Sequence, residues 1–184
     1  TVRLENDAIY LRAPVERDWR AYAELRAASR QFLEPWEPTW PTDALSRESF
    51  QRRLNRYAAD WRADAGYTFL IFRGSDDAML GGISLSNVRR GVAQAGTLGY
   101  WMGQPHAGKG LMTQALKLVL GFCFDEIGLH RVEAACLPTN EPSQKLLSRC
   151  GFIEDGYARK YLKIRGVWHD HLLFSLLAED YKNP

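Results

Sequence analysis

Nine residues, Gly108-Lys109-Gly110-Leu111-Met112-Thr113-Gln114-Ala115-Leu116, have the types and spacing for anion chemistry. They follow a strand-like stretch, Thr97-Leu98-Gly99-Tyr100-Trp101, and open a run that is apolar on nearly every side. A glycine-rich turn between strand and helix exposes backbone N–H groups at the positive helix end, an arrangement that holds phosphate or pyrophosphate. The expected ligand is a phosphate-bearing cosubstrate.

Three ligand classes compete. A nucleotide P-loop needs a Ser or Thr after the lysine to ligate magnesium, and Gly110 stands there instead. A dinucleotide fingerprint needs a third glycine where Thr113 stands, and it belongs in a first βαβ unit rather than after a meander. Coenzyme A needs a strand that splays from its neighbour, a gap for the pantetheine arm and a turn that grips the pyrophosphate. That third reading suits the order meander, turn, helix, strand and requires no metal. Against all three stands plain geometry, since glycines are common at strand–helix turns.

Two further clusters invite chemistry. Alternate strand residues share a face, so His169-Asp170-His171 suggests a metal site; two ligands without a third make packing the better reading. Glu133, in mid-strand between Val132 and Ala134, is a candidate general base acting through water. The alternative is an ion pair with Arg131 or another cation.

These residues need elements to hold them. A strand is expected at residues 9–12, a helix at 15–29, and a second helix at 46–63 with an apolar stripe of Phe50, Leu54, Tyr57 and Trp61. Between the helices, residues 32–41 carry Pro35, Pro38 and Pro41 and read as irregular. Strands are expected at 67–72, 80–85 and 96–101, a buried helix at 111–126 closed by Gly128, and a strand at 131–137. Asn140 is an N-cap, Pro142 a first-turn residue and Gly151 a helix terminator. Strands near 152–157, 160–164 and 168–177 end the chain. The fold class is α+β (mixed α/β): one domain over 1–184, a mostly antiparallel sheet with helices on both faces.

Bulk properties exclude several functions. Of 184 residues, 46% are apolar and 25% charged, as in ordinary globular domains. The net charge of +2 is too small to argue for direct nucleic-acid binding. No apolar run approaches bilayer length and no signal-peptide pattern opens the chain, so neither membrane association nor secretion is expected. Cys123, Cys136 and Cys150 have no metal-type spacing and read as reduced thiols of a cytoplasmic protein.

The chain resembles the GNAT acetyltransferase superfamily, and within it the ribosomal-protein-alanine N-acetyltransferase (RimJ-like) branch. The resemblance spans nearly the whole chain. It rests on Phe32-Leu33-Glu34-Pro35-Trp36, Leu98-Gly99-Tyr100-Trp101, Gly108-Lys109-Gly110-Leu111-Met112, His130-Arg131-Val132-Glu133-Ala134, Asn140-Glu141-Pro142-Ser143, Cys150-Gly151-Phe152 and Gly166-Val167-Trp168-His169-Asp170-His171. Ala107 and Met112 depart from the wider superfamily motif, Gln/Arg-Gly-x-Gly-x-Gly/Ala. Neither removes a backbone donor.

The resemblance implies a splayed GNAT sheet and acetyl transfer from acetyl-CoA to an amine, the branch's usual acceptor being a protein N-terminal α-amine, here of a ribosomal protein. By the same resemblance, Trp101, Met102 and Gly103 meet pantetheine and thioester. Gly108, Lys109, Gly110, Leu111, Met112 and Thr113 hold pyrophosphate, and Asn140 touches the pantetheine arm. Ser143 stands where a hydroxyl protonates the leaving thiolate, Leu147 replacing the tyrosine that often does so. Leu162 occupies the place of a hairpin carboxylate used by part of the branch. Solvent is the alternative to Glu133 as base. Glu34 and Glu37 are expected to attract a cationic N-terminus and Trp36 and Trp40 to wall its pocket. The alternatives are a small-amine or antibiotic acetyltransferase and a non-catalytic acyl-CoA sensor. The oligomeric state is left between monomer and homodimer.

Overall fold

Apolar residues on both faces of the middle strands demand cover on both sides, and the helices divide accordingly. The computed structural model describes residues 1–184. It contains β1 (Arg3–Glu5), β2 (Ile9–Arg12), α1 (Trp19–Ala28), α2 (Arg30–Leu33), α3 (Arg47–Arg62), β3 (Tyr67–Arg73), β4 (Met79–Arg89) and β5 (Ala95–Met102). After these come α4 (Leu111–Gly121), β6 (Arg131–Cys136), α5 (Glu141–Arg149), β7 (Ile153–Ile164), β8 (Val167–Leu177) and α6 (Ala178–Lys182). The eight strands form one sheet in the order β1-β2-β3-β4-β5-β6-β8-β7. Every neighbouring pair is antiparallel except β5 and β6. The α+β expectation therefore holds, with helices on both faces.

One face of the sheet contributes Phe69, Ile71, Ile83, Leu85, Leu98, Val132, Ala134 and Phe174 to the main core, beneath α4 and α5. The other contributes Tyr10, Leu70, Phe72 and Met79 to a smaller cluster with Tyr22 of α1 and Phe50 of α3. The expected stripe of α3 serves two places. Phe50 and Leu54 join the smaller cluster, whereas Trp61 reaches the main core and stacks edge-on against Tyr67 and Phe69. Ser46 caps α3 by accepting from the Ser49 N–H at 3.1 Å.

Several expectations need correction. Residues 32–41 are not wholly irregular: α2 runs into a 3-10 turn, Glu34–Trp36, because Pro35 sits in a first turn where no N–H is required. The helix expected to 126 leaves α geometry at Gly121 and continues as one π turn, Phe122–Glu126. The strands expected at 152–157 and 160–164 are one strand, β7, with register shifts against β8. Asp170 fills the irregularity, accepting from the Lys160 N–H at 2.8 Å and the Tyr157 hydroxyl at 2.5 Å. The short β1 and α6 carry little pattern and escaped the sequence reading.

Phe122 packs its ring against Trp61, Tyr67 and Phe69, with centroids 5.2 to 6.1 Å apart. Phe122→Ala is expected to lower the unfolding free energy by about 3–5 kcal/mol. Urea titration measures it, and a loss below about 1 kcal/mol would mean that the cluster collapses around the gap.

Candidate active site

The parallel pair β5–β6 is joined only from Ala95↔Arg131 to Leu98↔Ala134. Beyond that point β5 stays with β4 as far as Met102↔Gly81, and β6 stays with β8 as far as Cys136↔Leu172. The sheet therefore splits, leaving Gly99 to Met102 and Ala135 to Cys136 on facing edges. Two glycines of β4 make the β5 side possible. A Cβ at Gly82 would lie 2.5 Å from Trp101 Nε1, and one at Gly81 would collide with the Trp101 carbonyl oxygen.

The split opens into a cleft of about 960 Å³. At one end stands the glycine turn. Gly108 (φ +74°) and Gly110 (φ +76°) are left-handed, and Gly110 caps α4 without any side-chain bond. None of the backbone N–H groups from Gly108 to Thr113 donates to another protein group. Six free donors at a positive helix end suit a pyrophosphate. A Cβ at either glycine would meet nothing within 4 Å, so both face open space. His106 also lines this end. Burial, helped by Arg73 and Lys109, lowers its pKa, and Arg73 Nη2 lies 3.3 Å from its Nδ1. Arginine is donor-only, so Nδ1 accepts and Nε2 carries the proton.

Strand alternation sorts the middle of the cleft. Tyr100 faces α4 and α5, and its phenol lies 2.5 Å from the Ser143 hydroxyl. Burial pushes the Tyr100 pKa up to about 12, the Ser143 contact opposing it. Asn140 lines the cleft and caps α5 at once, accepting from the Ser143 N–H at 3.2 Å. Cys136 lines the cleft too, but burial raises its pKa, which disfavours a nucleophilic thiolate. Trp101 faces the opposite side, edge-on to Tyr22.

Beyond Trp101, on the α1/α3 side, lies a second cavity of about 330 Å³. The two spaces share only Glu37 and Trp101 among their lining residues. Glu37 accepts from Arg26 at 2.8 and 3.1 Å and from Trp40 Nε1 at 2.8 Å. Its carbonyl accepts from the Arg165 N–H at 3.0 Å, tying the aromatic loop to the β7–β8 turn.

Sequence-derived candidates thus separate. Trp101, Met102, Gly108, Gly110, Leu111, Met112, Thr113, Asn140 and Ser143 line the main cleft. Gly103 lies buried behind it, and Lys109 projects outward. Trp36 lines the main cleft and Trp40 the second cavity, but Glu34 lines neither and pairs with Arg30 at 2.6 Å. Glu133 is also outside both spaces. It bonds Arg89 at 2.5 Å and stands 3.6 Å from Arg131, the ion pairing that was the alternative to a base. No group of three or more His, Cys, Asp or Glu side chains could hold a metal ion.

Sequence reasoning missed two groups. Tyr100 enters the sequence reading as a strand and motif residue without a role of its own. His171 was read as packing, yet it lines the cleft at 3% exposure. Its Nδ1 lies 2.9 Å from the His169 carbonyl oxygen, an acceptor, so Nδ1 carries a proton, and Nε2 makes no hydrogen bond to the protein. Pairing of Cys136 with Leu172 puts His171 on the Trp101 face.

A split sheet, with a turn of free N–H groups at one end of its cleft and a second cavity on the α1/α3 side, is the layout expected of a group transferase with two binding spaces. The chain belongs to the GNAT acetyltransferase family, whose domain profile matches residues 8–153. It is 36% identical over 180 residues to the [Ribosomal protein uS5]-alanine N-acetyltransferase of Escherichia coli, covering 98% of this chain and 93% of that one. The ribosomal-protein-S5-alanine acetyltransferase of Vibrio fischeri superposes with a TM-score of 0.91 at 31% identity, covering 98% and 99% of the two chains. Mycobacterium smegmatis RimJ in complex with CoA-disulfide superposes at 0.89 with 32% identity, covering 97% of this chain and 87% of that one.

The Tyr100 phenol gives a pH prediction. Below about pH 10 it is neutral in both folded and unfolded chains. Above that pH the unfolded chain ionises first, so stability falls as the pH approaches 12. Burial also raises Tyr67 to about 12, which adds to the same window. Denaturant titrations from pH 9 to 12 should show the fall, and Tyr100→Phe should make it shallower. An unchanged slope in that variant would mean that Tyr100 is not protected from ionisation.

Proposed function

We propose that the protein is an acetyl-CoA-dependent N-acetyltransferase of protein N-terminal α-amines, with a ribosomal protein as acceptor. The observation that carries this is the meeting of the two cavities at Glu37 and Trp101 alone. A chain end entering from the second cavity presents its amine at the split. The relatives named as ribosomal-protein-alanine acetyltransferases support the acceptor class.

The free N–H groups from Gly108 to Thr113 hold the pyrophosphate, and the unpaired edge of β5 holds the pantetheine amides. Bound acetyl-CoA supplies an activated thioester. His171 Nε2 takes the ammonium proton, leaving a neutral amine to attack the carbonyl. The C–N bond forms as the C–S bond breaks. Tyr100 stays protonated at neutral pH, and in this reading its O–H donates to Ser143 Oγ, which leaves the serine proton free for the gap. Ser143 passes that proton to the departing sulfur, and the remaining amine proton leaves to solvent, which restores the hydroxyl.

Mass spectrometry after incubation with acetyl-CoA tests the acceptor. Peptides with a free N-terminal Ala, Ser or Met should gain one acetyl group, and N-blocked peptides with an internal Lys should gain none. Labelling of neither set would overturn the N-terminal reading and favour a small amine or a sensor.

The roles of the two side chains predict separable kinetics. Ser143→Ala and His171→Asn should each lower kcat by roughly tenfold or more while acetyl-CoA affinity by calorimetry changes little. The His171→Asn loss should shrink as pH rises, because the amine then sheds its proton to water unaided. A pH-independent loss would assign His171 to packing.

A further inference from the structure

The second cavity is lined by two cations, Arg26 and Arg53, and by one carboxylate, Glu37. Arg26 and Glu37 consume one another in a bidentate pair, their side chains 11% and 21% exposed. The Trp40 indole N–H adds a third donor to Glu37. Arg53 makes no salt bridge; the phenols of Tyr22 and Tyr57 act on it first, and the Glu37 carboxylate, already held by Arg26, acts only at longer range. It is half-buried on α3 and projects from there into the cavity. A second group is unanswered here. Arg26 Nε is the one buried side-chain nitrogen or oxygen in the chain without a hydrogen-bond partner.

A half-buried guanidinium without a counter-charge is costly unless something supplies one. The rest of the lining offers no acid. It is aromatic and apolar (Tyr22, Trp40, Phe50, Trp101), with the hydroxyls of Thr39, Thr68 and Ser84. The site therefore carries an excess positive charge next to the point where the acceptor amine enters.

We infer that this cavity is a carboxylate subsite, in which Arg53 pairs with an acid group held by the acceptor within a residue or two of its reacting amine. The inference rests on the acceptor reading above and adds to it a substrate class: N-termini with Asp or Glu next to or near the first residue. A guanidinium takes a carboxylate in a planar two-point contact that an amide cannot match. The cavity's small volume limits the contact to the first residues of the chain. Glu37 and Arg26 then form the cavity wall, their charges cancelled, and Arg53 provides the selectivity.

The experiment compares kcat/KM for matched peptides with Glu or Gln at the second or third position, and for free amino acids against their carboxamides. Wild-type enzyme should prefer the carboxylate by roughly tenfold to a hundredfold. Arg53→Met should erase the preference, and Arg53→Lys should keep part of it. Acetyl-CoA affinity should be retained in both variants, and melting curves would report any loss of fold. Equal rates on Glu and Gln peptides in the wild type would overturn the subsite and leave the N-terminal reading standing. Carboxylate-dependent labelling of free amino acids only, lost in Arg53→Met, would support the subsite and overturn the N-terminal reading. Labelling of neither panel would overturn both. A preference that survives Arg53→Met would move the subsite away from Arg53.

Discussion

The parting of β5 from β6 is the constraint on which the rest of this structure depends. Two parallel strands bonded at Leu98↔Ala134 and free beyond it leave backbone donors and acceptors bare on facing edges. Buried backbone polar groups require partners, so such a gap is sustained only where a ligand or water completes it. Each strand is kept from closing by its other neighbour, β4 for β5 and β8 for β6. The glycine pair Gly81-Gly82 lets β4 lie close enough to do this while the Trp101 indole folds across it.

From the split follows a division of labour by alternation. Tyr100 and Trp101 are adjacent in sequence and face opposite sides of the sheet, because successive strand side chains alternate. The first lies with Ser143 on the side of α4 and α5, the second with Tyr22 on the side of α1 and α3. The two spaces therefore meet only at Glu37 and Trp101. His171 stands on the Trp101 side and Ser143 on the Tyr100 side.

Charge reinforces this layout. The donor end presents dipole-aligned N–H groups with a neutral His106, and Lys145 and Arg149 of α5 also line the cleft. The acids nearest the chemistry are already engaged: Glu37 by Arg26 and Trp40, Glu133 by Arg89 and Arg131.

The glycine turn, the apolar helix after it, the Asn140 cap and the order of strands were legible from residue types alone, because they depend on local backbone preference and short-range periodicity. So was the alternation that sets Glu133 apart from Val132 and Ala134. Arg131 was foreseen as a partner, but the nearer one was not, since Arg89 is 44 residues away in sequence and meets it only through sheet pairing. The same holds for Tyr100 and Ser143, separated by 43 residues. Prolines misled the reading of residues 32–41, where the missing N–H of Pro35 falls in a first turn and costs nothing. Sequence by itself determined where the main strands and helices fall and where the glycine turn opens α4, because those properties are local. Which acid is spent in an ion pair, which imidazole nitrogen is free and which arginine lacks a partner were decided only by tertiary structure, because each depends on long-range contacts that no spacing encodes.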